Sequence, residues 1–145
     1  KFLKSPLNYI GGKYKLLPQL IEFFPEKINT FVDLFSGGFN VGINVDCNKV
    51  ICNDMNTFII DLYKELYSKP IDETLNKITG RINEYGLSKE NEEAFKKFRD
   101  YYNKTKEPID LYTLSCYSFN YQLDLITIKN IIIHLEETEV NFQTI

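Results

Sequence analysis

Thr30-Phe31-Val32-Asp33-Leu34-Phe35-Ser36-Gly37-Gly38-Phe39-Asn40-Val41-Gly42 is the stretch on which the reading of this 145-residue chain turns. Thr30 to Leu34 carry strand-favouring side chains and run into a Ser-Gly-Gly turn, after which a helix or helical turn can begin. An α/β sheet builds a nucleotide pocket in that order. Gly37 and Gly38 lack a Cβ, so the backbone there can take positive φ and approach a ligand closely. The ligand would sit beyond the carboxyl end of the strand. A second apolar run, Val50-Ile51-Cys52-Asn53-Asp54, closes on an acid about twenty residues past Asp33, the usual position of a carboxylate that hydrogen-bonds ribose hydroxyls. Two strand ends and one glycine turn therefore outline an adenosine site. An ordinary strand and turn with an Asp cap would use the same residues. No register through Gly37, Gly38 and Gly42 gives Gly-x-Gly-x-x-Gly, which weakens a nicotinamide or flavin reading.

Outward from this stretch, composition sets the limits. With 43% hydrophobic and 14% aromatic residues, the chain can bury a single core. No apolar run is long enough to span a bilayer and none reads as a signal peptide, so a cytoplasmic protein is expected. Cys47, Cys52 and Cys116 lack Cys-x-x-Cys spacing and share the chain with one histidine, His134, so buried free thiols fit better than a metal site. The formal charge of -3 gives no global attraction for phosphate. Any nucleic-acid binding must use a local basic surface.

Upstream, in the block Ser5-Pro6-Leu7-Asn8-Tyr9-Ile10-Gly11-Gly12-Lys13, Pro6 disfavours helix at Ser5, and Tyr9 to Lys13 reads as a loop leading into a helix-patterned run from Tyr14 to Phe24. Such a loop offers free backbone N–H groups, an aromatic face and a cation, which suit a carboxylate-bearing ligand. Leu16, Leu17, Leu20, Ile21 and Phe24 recur at helical spacing and are expected to face the core. Downstream, Asp54-Met55-Asn56 turns into a helix from about Thr57 to Tyr67. The strand-helix order predicts a parallel sheet. Met55 would lie beside an adenine ring, or else in the core.

From Pro70 the pattern becomes helical. Asp72 can cap a helix through Tyr85 ended by Gly86, Ser88 can cap another from Lys89 to about Tyr102, and a third runs from Pro108 to about Ser118. Lys96, Lys97, Arg99, Lys104 and Lys106 interleave with Phe98, Tyr101 and Tyr102, the residue types of a phosphate-facing surface. A solvated face balanced by Glu90, Glu92, Glu93 and Asp100 is at least as good an account of the same residues. Ile126 to Leu135 is again helix-patterned, and Glu139-Val140-Asn141-Phe142 reads as a strand.

The block Ser5 to Lys13, the stretch Phe31 to Gly38 and the pair Asn53-Asp54, in this order, resemble the Dam-like (D12 class) family of S-adenosylmethionine-dependent DNA adenine-N6 methyltransferases. The resemblance runs from about Pro6 to Gln122 and implies an incomplete Rossmann-like α/β fold with an inserted helical target-recognition subdomain. Residues 1–69 would be the cofactor-binding part, 70–122 the DNA-binding subdomain, and 123–145 a return to the α/β domain. Tyr9, Gly11, Gly12, Lys13, Asp33, Phe35, Gly37, Gly38, Asp54 and Met55 would then hold S-adenosylmethionine. Asn8 stands where some relatives carry a base-touching lysine. Arg99, in a segment similar to the family, and Phe119 with Asn120, an aromatic-Asn pair matching the family, are the other DNA candidates.

In relatives a β-hairpin bearing a guanine-reading arginine follows that pair. Here Gln122 leads to Leu123-Asp124 and then a helical run. Family members also carry Asp-Pro-Pro-Tyr or Asn-Pro-Pro-Tyr, which holds the amino group of the flipped-out adenine. No Pro-Pro pair occurs among these residues, so no catalytic residue is assigned. The expectation is a metal-independent methyltransferase acting on adenine N6 in duplex DNA, with GATC the first target to try, of which this chain alone is inactive. The alternative is a non-catalytic DNA-binding remnant, whose DNA association would ignore the cofactor. A methyltransferase of RNA or small molecules is a weaker third reading.

Overall fold

The computed structural model describes residues 1–118 and 125–144. The chain enters through a 3-10 turn (Tyr14–Leu16) and a short helix α1 (Leu17–Ile21), with Pro18 in its first turn, where its missing N–H is harmless. Strand β1 (Thr30–Asp33) follows, then the glycine turn, a 3-10 turn (Gly42–Asn44) and strand β2 (Lys49–Asn53). Helices α2 (Thr57–Ser68), α3 (Ile71–Tyr85), α4 (Glu92–Thr105), α5 (Pro108–Tyr117) and α6 (Leu125–Glu136) lead to strand β3 (Glu139–Gln143).

The sheet is parallel, in the order β1-β2-β3, with Val50 opposite both Phe31 and Val140. Parallel strands bury both faces, which is why β2 reads as a continuous apolar run. Val50, Cys52, Val140 and Phe142 are buried with Ile60, Tyr63 and Leu66 of α2. Phe39, Tyr63 and Phe142 meet edge-on or stacked, with ring centroids 5.3 to 5.9 Å apart. The outer edge of β1 meets no other strand among the described residues, and Val32 is 52% exposed.

Turn chemistry sets the helix ends. The Asn56 side chain accepts from the Phe58 N–H at the start of α2, and Gly86 closes α3 in the left-handed region at φ 67. Two expected caps are corrected. Asn91, not Ser88, caps the fourth helix by accepting from the Ala94 N–H, because Ser88 to Glu90 form a turn that delays the start to Glu92. Pro70 precedes α3, and Asp72 lies inside its first turn, where a negative charge favours the helix dipole. The run from Tyr14 is broken into a 3-10 turn and a five-residue helix, and of its apolar set only Leu17 is fully buried.

The helices after Pro70 share the sheet's core. Ile78 of α3, Ile109, Tyr112 and Cys116 of α5 and Ile128 to Leu135 of α6 pack in one cluster with the strands, while α4 closes a smaller cluster around Phe98, Tyr102 and Leu114. Arg81 ties these helices together. Its Nε donates to the fully buried Asp110 at 3.2 Å, and its Nη2 reaches Glu107 and the Tyr101 hydroxyl at 3.2 and 2.9 Å. Among the described residues no helix is long and apolar enough to cross a membrane.

Candidate functional site

Beyond the carboxyl ends of β1 and β2 lies a cavity of about 540 Å3. Its walls include Tyr9, Gly11, Gly12 and Lys13 from the N-terminal loop, and Asp33, Phe35, Gly37, Gly38 and Asp54 from the strand ends. Nine of the ten residues expected to hold a cofactor are thus brought together. Met55 is the exception. It does not line the cavity and is 84% exposed, because the Asp54 carboxylate bonds the Asn56 N–H and the tight turn between them points Met55 outward. Leu16, Leu20 and Phe24, expected in the core, line this cavity instead.

The two glycine segments lock onto each other. Gly37 sits at φ 49, and a Cβ there or at Gly38 would come within 3.1 or 3.2 Å of Tyr9. Only glycine leaves room for Tyr9 to lie on the turn. The Ser5 N–H donates to Asn40 Oδ1 at 2.8 Å, and the Tyr63 hydroxyl donates to the Gly38 carbonyl at 2.7 Å while meeting Ser5 Oγ at 3.0 Å. The N-terminal loop turns through Gly12 N–H to Tyr9 carbonyl, 3.1 Å, and Gly11 takes φ 77. Ser5, Asn40 and Tyr63 are site-building residues that sequence reasoning missed. Asn40, inside the decisive stretch, carried the available signal, since asparagine next to a glycine turn often bonds backbone.

Asp54 is more than a candidate ribose acceptor. Its Oδ2 accepts from the Gly37 N–H at 2.8 Å and its Oδ1 from the Asn56 N–H at 2.9 Å. One carboxylate thus holds the glycine turn and the entry to α2. Each oxygen keeps lone-pair capacity for a ligand hydroxyl. Asp33 Oδ2 accepts from the Gly42 N–H at 2.9 Å. Burial pushes the Asp33 carboxyl above its ordinary value, Asp54 adds to the rise, and the Gly42 N–H and Lys13 oppose it. Lys13 Nζ donates to the Gly11 carbonyl at 2.7 Å and so stays at the rim. Cys52, under the turn, is pushed up to about 12 by burial, so its thiol is an inert packing group. No cluster of potential metal ligands occurs among the described residues.

The DNA candidates are spread more widely. Asn8 is exposed and lines a second cavity beside the first. Arg99 is exposed on α4, next to Asp100 at 3.9 Å. Phe119 and Asn120 lie outside the described residues. Lys96 and Lys97 pair with Glu92 and Glu93 at 2.7 and 2.9 Å, which fits a balanced solvated face at these two positions.

Residues 9–131 match the family described as D12 class N6 adenine-specific DNA methyltransferase. The chain belongs to this family. The match takes in the N-terminal glycine loop, the glycine turn and helices α2 to α5, so the cavity walls and the helical region both fall within the D12 class pattern. Over 121 residues the chain is 62% identical to the Type II methyltransferase M.FokI of Planomicrobium okeanokoites, covering 83% of this chain and 19% of that protein. It is 56% identical over 122 residues to Modification methylase StsI of Streptococcus sanguinis, with 84% and 19% covered. With Modification methylase LlaI of Lactococcus lactis subsp. lactis it shares 40% identity over 118 residues, covering 80% and 19%. The chain therefore spans about a fifth of the length of these curated relatives.

Proposed function

We propose that this chain is the cofactor-holding and DNA-facing part of a methyltransferase that moves a methyl group from S-adenosylmethionine to N6 of adenine in duplex DNA, without a metal and with the base flipped out. The observation that carries the reading is the cradle at Gly37 and Gly38, where a Cβ would fill the space against Tyr9 at the mouth of a cavity rimmed by Asp33 and Asp54. That donor set fits an adenosine bearing an amino acid tail. Asp54 and Asp33 offer acceptors to hydroxyls and to an ammonium group, Lys13 and the loop N–H groups offer donors to a carboxylate, and Phe35 offers an apolar face. When bound, S-adenosylmethionine would supply an electrophilic methyl group.

In this reading the small parallel sheet is part of a Rossmann-like methyltransferase fold, and α3 to α5 belong to an inserted target-recognition subdomain. Asn8, Arg99, Phe119 and Asn120 would face DNA. The Asp-Pro-Pro-Tyr segment that orients the acceptor amine is not among these residues, so the 145-residue chain should hold the cofactor and fail to transfer methyl. The relatives named as modification methylases favour a role beside a restriction enzyme. GATC is the first target to try.

Fluorescence anisotropy of a labelled GATC duplex, titrated with the chain with and without S-adenosylhomocysteine, tests this. The methyltransferase reading expects DNA binding that tightens with the cofactor product present. Binding that ignores it would favour a DNA-binding remnant, and a folded sample that binds neither would overturn both.

A further inference from the structure

Tyr63 of α2 is fully buried, beneath the glycine cavity rather than in its wall. Its hydroxyl donates to the Gly38 carbonyl at 2.7 Å. A carbonyl only accepts, so this bond takes the one phenolic proton, and the Ser5 hydroxyl, 3.0 Å away, is the donor in the second bond. Ser5 Oγ in turn accepts from the Leu7 N–H at 3.1 Å. The result is a one-way relay from Leu7 through Ser5 and Tyr63 to Gly38, which joins the N-terminal loop to the glycine turn through the interior.

The turn on which the relay ends is strained. Phe39 takes φ 64, a left-handed backbone in which a bulky residue is an outlier, and its ring is buried at 1% exposure. Such a conformation persists only where its surroundings over-determine it. Here the peptide between Gly38 and Phe39 is held at both ends, its carbonyl by Tyr63 and its N–H by the Ser36 carbonyl at 2.7 Å. The Tyr63 ring also meets the Phe39 ring edge-on, with centroids 5.3 Å apart. One side chain thus restrains both the strained residue and the peptide before it, next to two glycines whose own backbones resist rotation least.

We infer that Tyr63 is the positioning residue of the glycine cavity. From below, its hydroxyl holds the Gly37-Gly38 cradle in the shape that accepts the cofactor and ties the N-terminal loop to it, so both walls are set before the ligand arrives. The inference rests on the cofactor reading above. Preorganisation raises affinity by removing an ordering cost from binding, and a buried hydroxyl supplies it without touching the ligand.

The test is calorimetric titration with S-adenosylhomocysteine of the 145-residue chain, of Tyr63→Phe, of Ser5→Ala and of the double variant, each at a temperature where circular dichroism shows it folded. Tyr63→Phe should bind about tenfold more weakly and Ser5→Ala about threefold. The double variant should bind no more weakly than Tyr63→Phe, since the Ser5 hydroxyl acts through Tyr63. Amide relaxation dispersion should show microsecond-to-millisecond exchange at Gly37, Gly38 and Phe39 in ligand-free Tyr63→Phe, absent from the parent and quenched by saturating ligand. A general loss of stability would not confine exchange to the turn. Parental affinity in Tyr63→Phe, losses that add in the double variant, or exchange spread evenly through α2 and the sheet would overturn the inference. Should Tyr63→Phe fail to fold, Ser5→Ala decides by the same readouts, with weaker binding and exchange at the turn in support and parental binding against. A folded parent that binds no S-adenosylhomocysteine would sink the cofactor reading and this inference with it, whereas parental affinity in Tyr63→Phe sinks the inference alone.

Discussion

Removing the Asp54 carboxylate should damage the fold as well as the cavity. Asp54→Ala deletes two hydrogen bonds to a charged acceptor, from Gly37 N–H at 2.8 Å and Asn56 N–H at 2.9 Å. Bonds of this kind are worth about 1.5–3 kcal/mol each. Water can replace part of the acceptor lost at the start of α2, while the Gly37 N–H sits under Tyr9, where it is harder to solvate. The expected loss is therefore about 2–4 kcal/mol, a large share of the about 5–15 kcal/mol of a typical domain. Asp54→Asn keeps one carbonyl oxygen and should lose about half as much. Urea unfolding followed by circular dichroism measures this as a lower midpoint at unchanged slope. A loss below about 0.5 kcal/mol for Asp54→Ala would refute the assignment of the carboxylate as the pin between turn and helix.

Gly42→Ala should cost about 1–3 kcal/mol by overpacking, since the added methyl would run into the Phe39 ring and lie 3.0 Å from Asp33 Oδ2; thermal unfolding checks it. Arg81→Met should lose about 3 kcal/mol or more in urea unfolding, because it strands the buried Asp110 carboxylate. The Asp33 carboxyl is raised in the fold, so its stabilising contribution is full when protonated, below the ordinary carboxylate range, and is lost as pH rises through the raised folded value. Asp33→Asn keeps an acceptor for the Gly42 N–H and should melt higher than the parent at pH 7, with the gap closing towards about pH 4 in a melting series.

The sheet, its parallel sense and the helix beginning at Thr57 were legible because alternation, glycine and asparagine act locally. The glycine cavity was legible for the same reason, since its walls come from strand ends and the turns that follow them. What escaped depends on contacts distant in sequence. Leu16, Leu20 and Phe24 have the spacing of core residues, and only the approach of the N-terminal loop to β1 turns them into cavity wall. Tyr63 reads as one more apolar helix position, yet its hydroxyl reaches the Gly38 carbonyl 25 residues away. Ser88 and Asn91 are both good caps, and the turn after Leu87 chooses between them. Lys106 looks like any lysine in a basic strip, because neither its left-handed backbone nor its seat between Phe58 and Tyr102 is written in local sequence.

Calorimetric titration of the 145-residue chain with S-adenosylhomocysteine tests the central claim most directly, with Gly38→Val beside it, because a side chain there would invade the cradle against Ser5 and Tyr9. One-to-one binding by the parent, abolished in a variant that still unfolds cooperatively, is the expected result. A folded parent that gives no binding at millimolar ligand, or a Gly38→Val variant that binds as the parent does, would contradict the claim that the glycine cradle holds the cofactor.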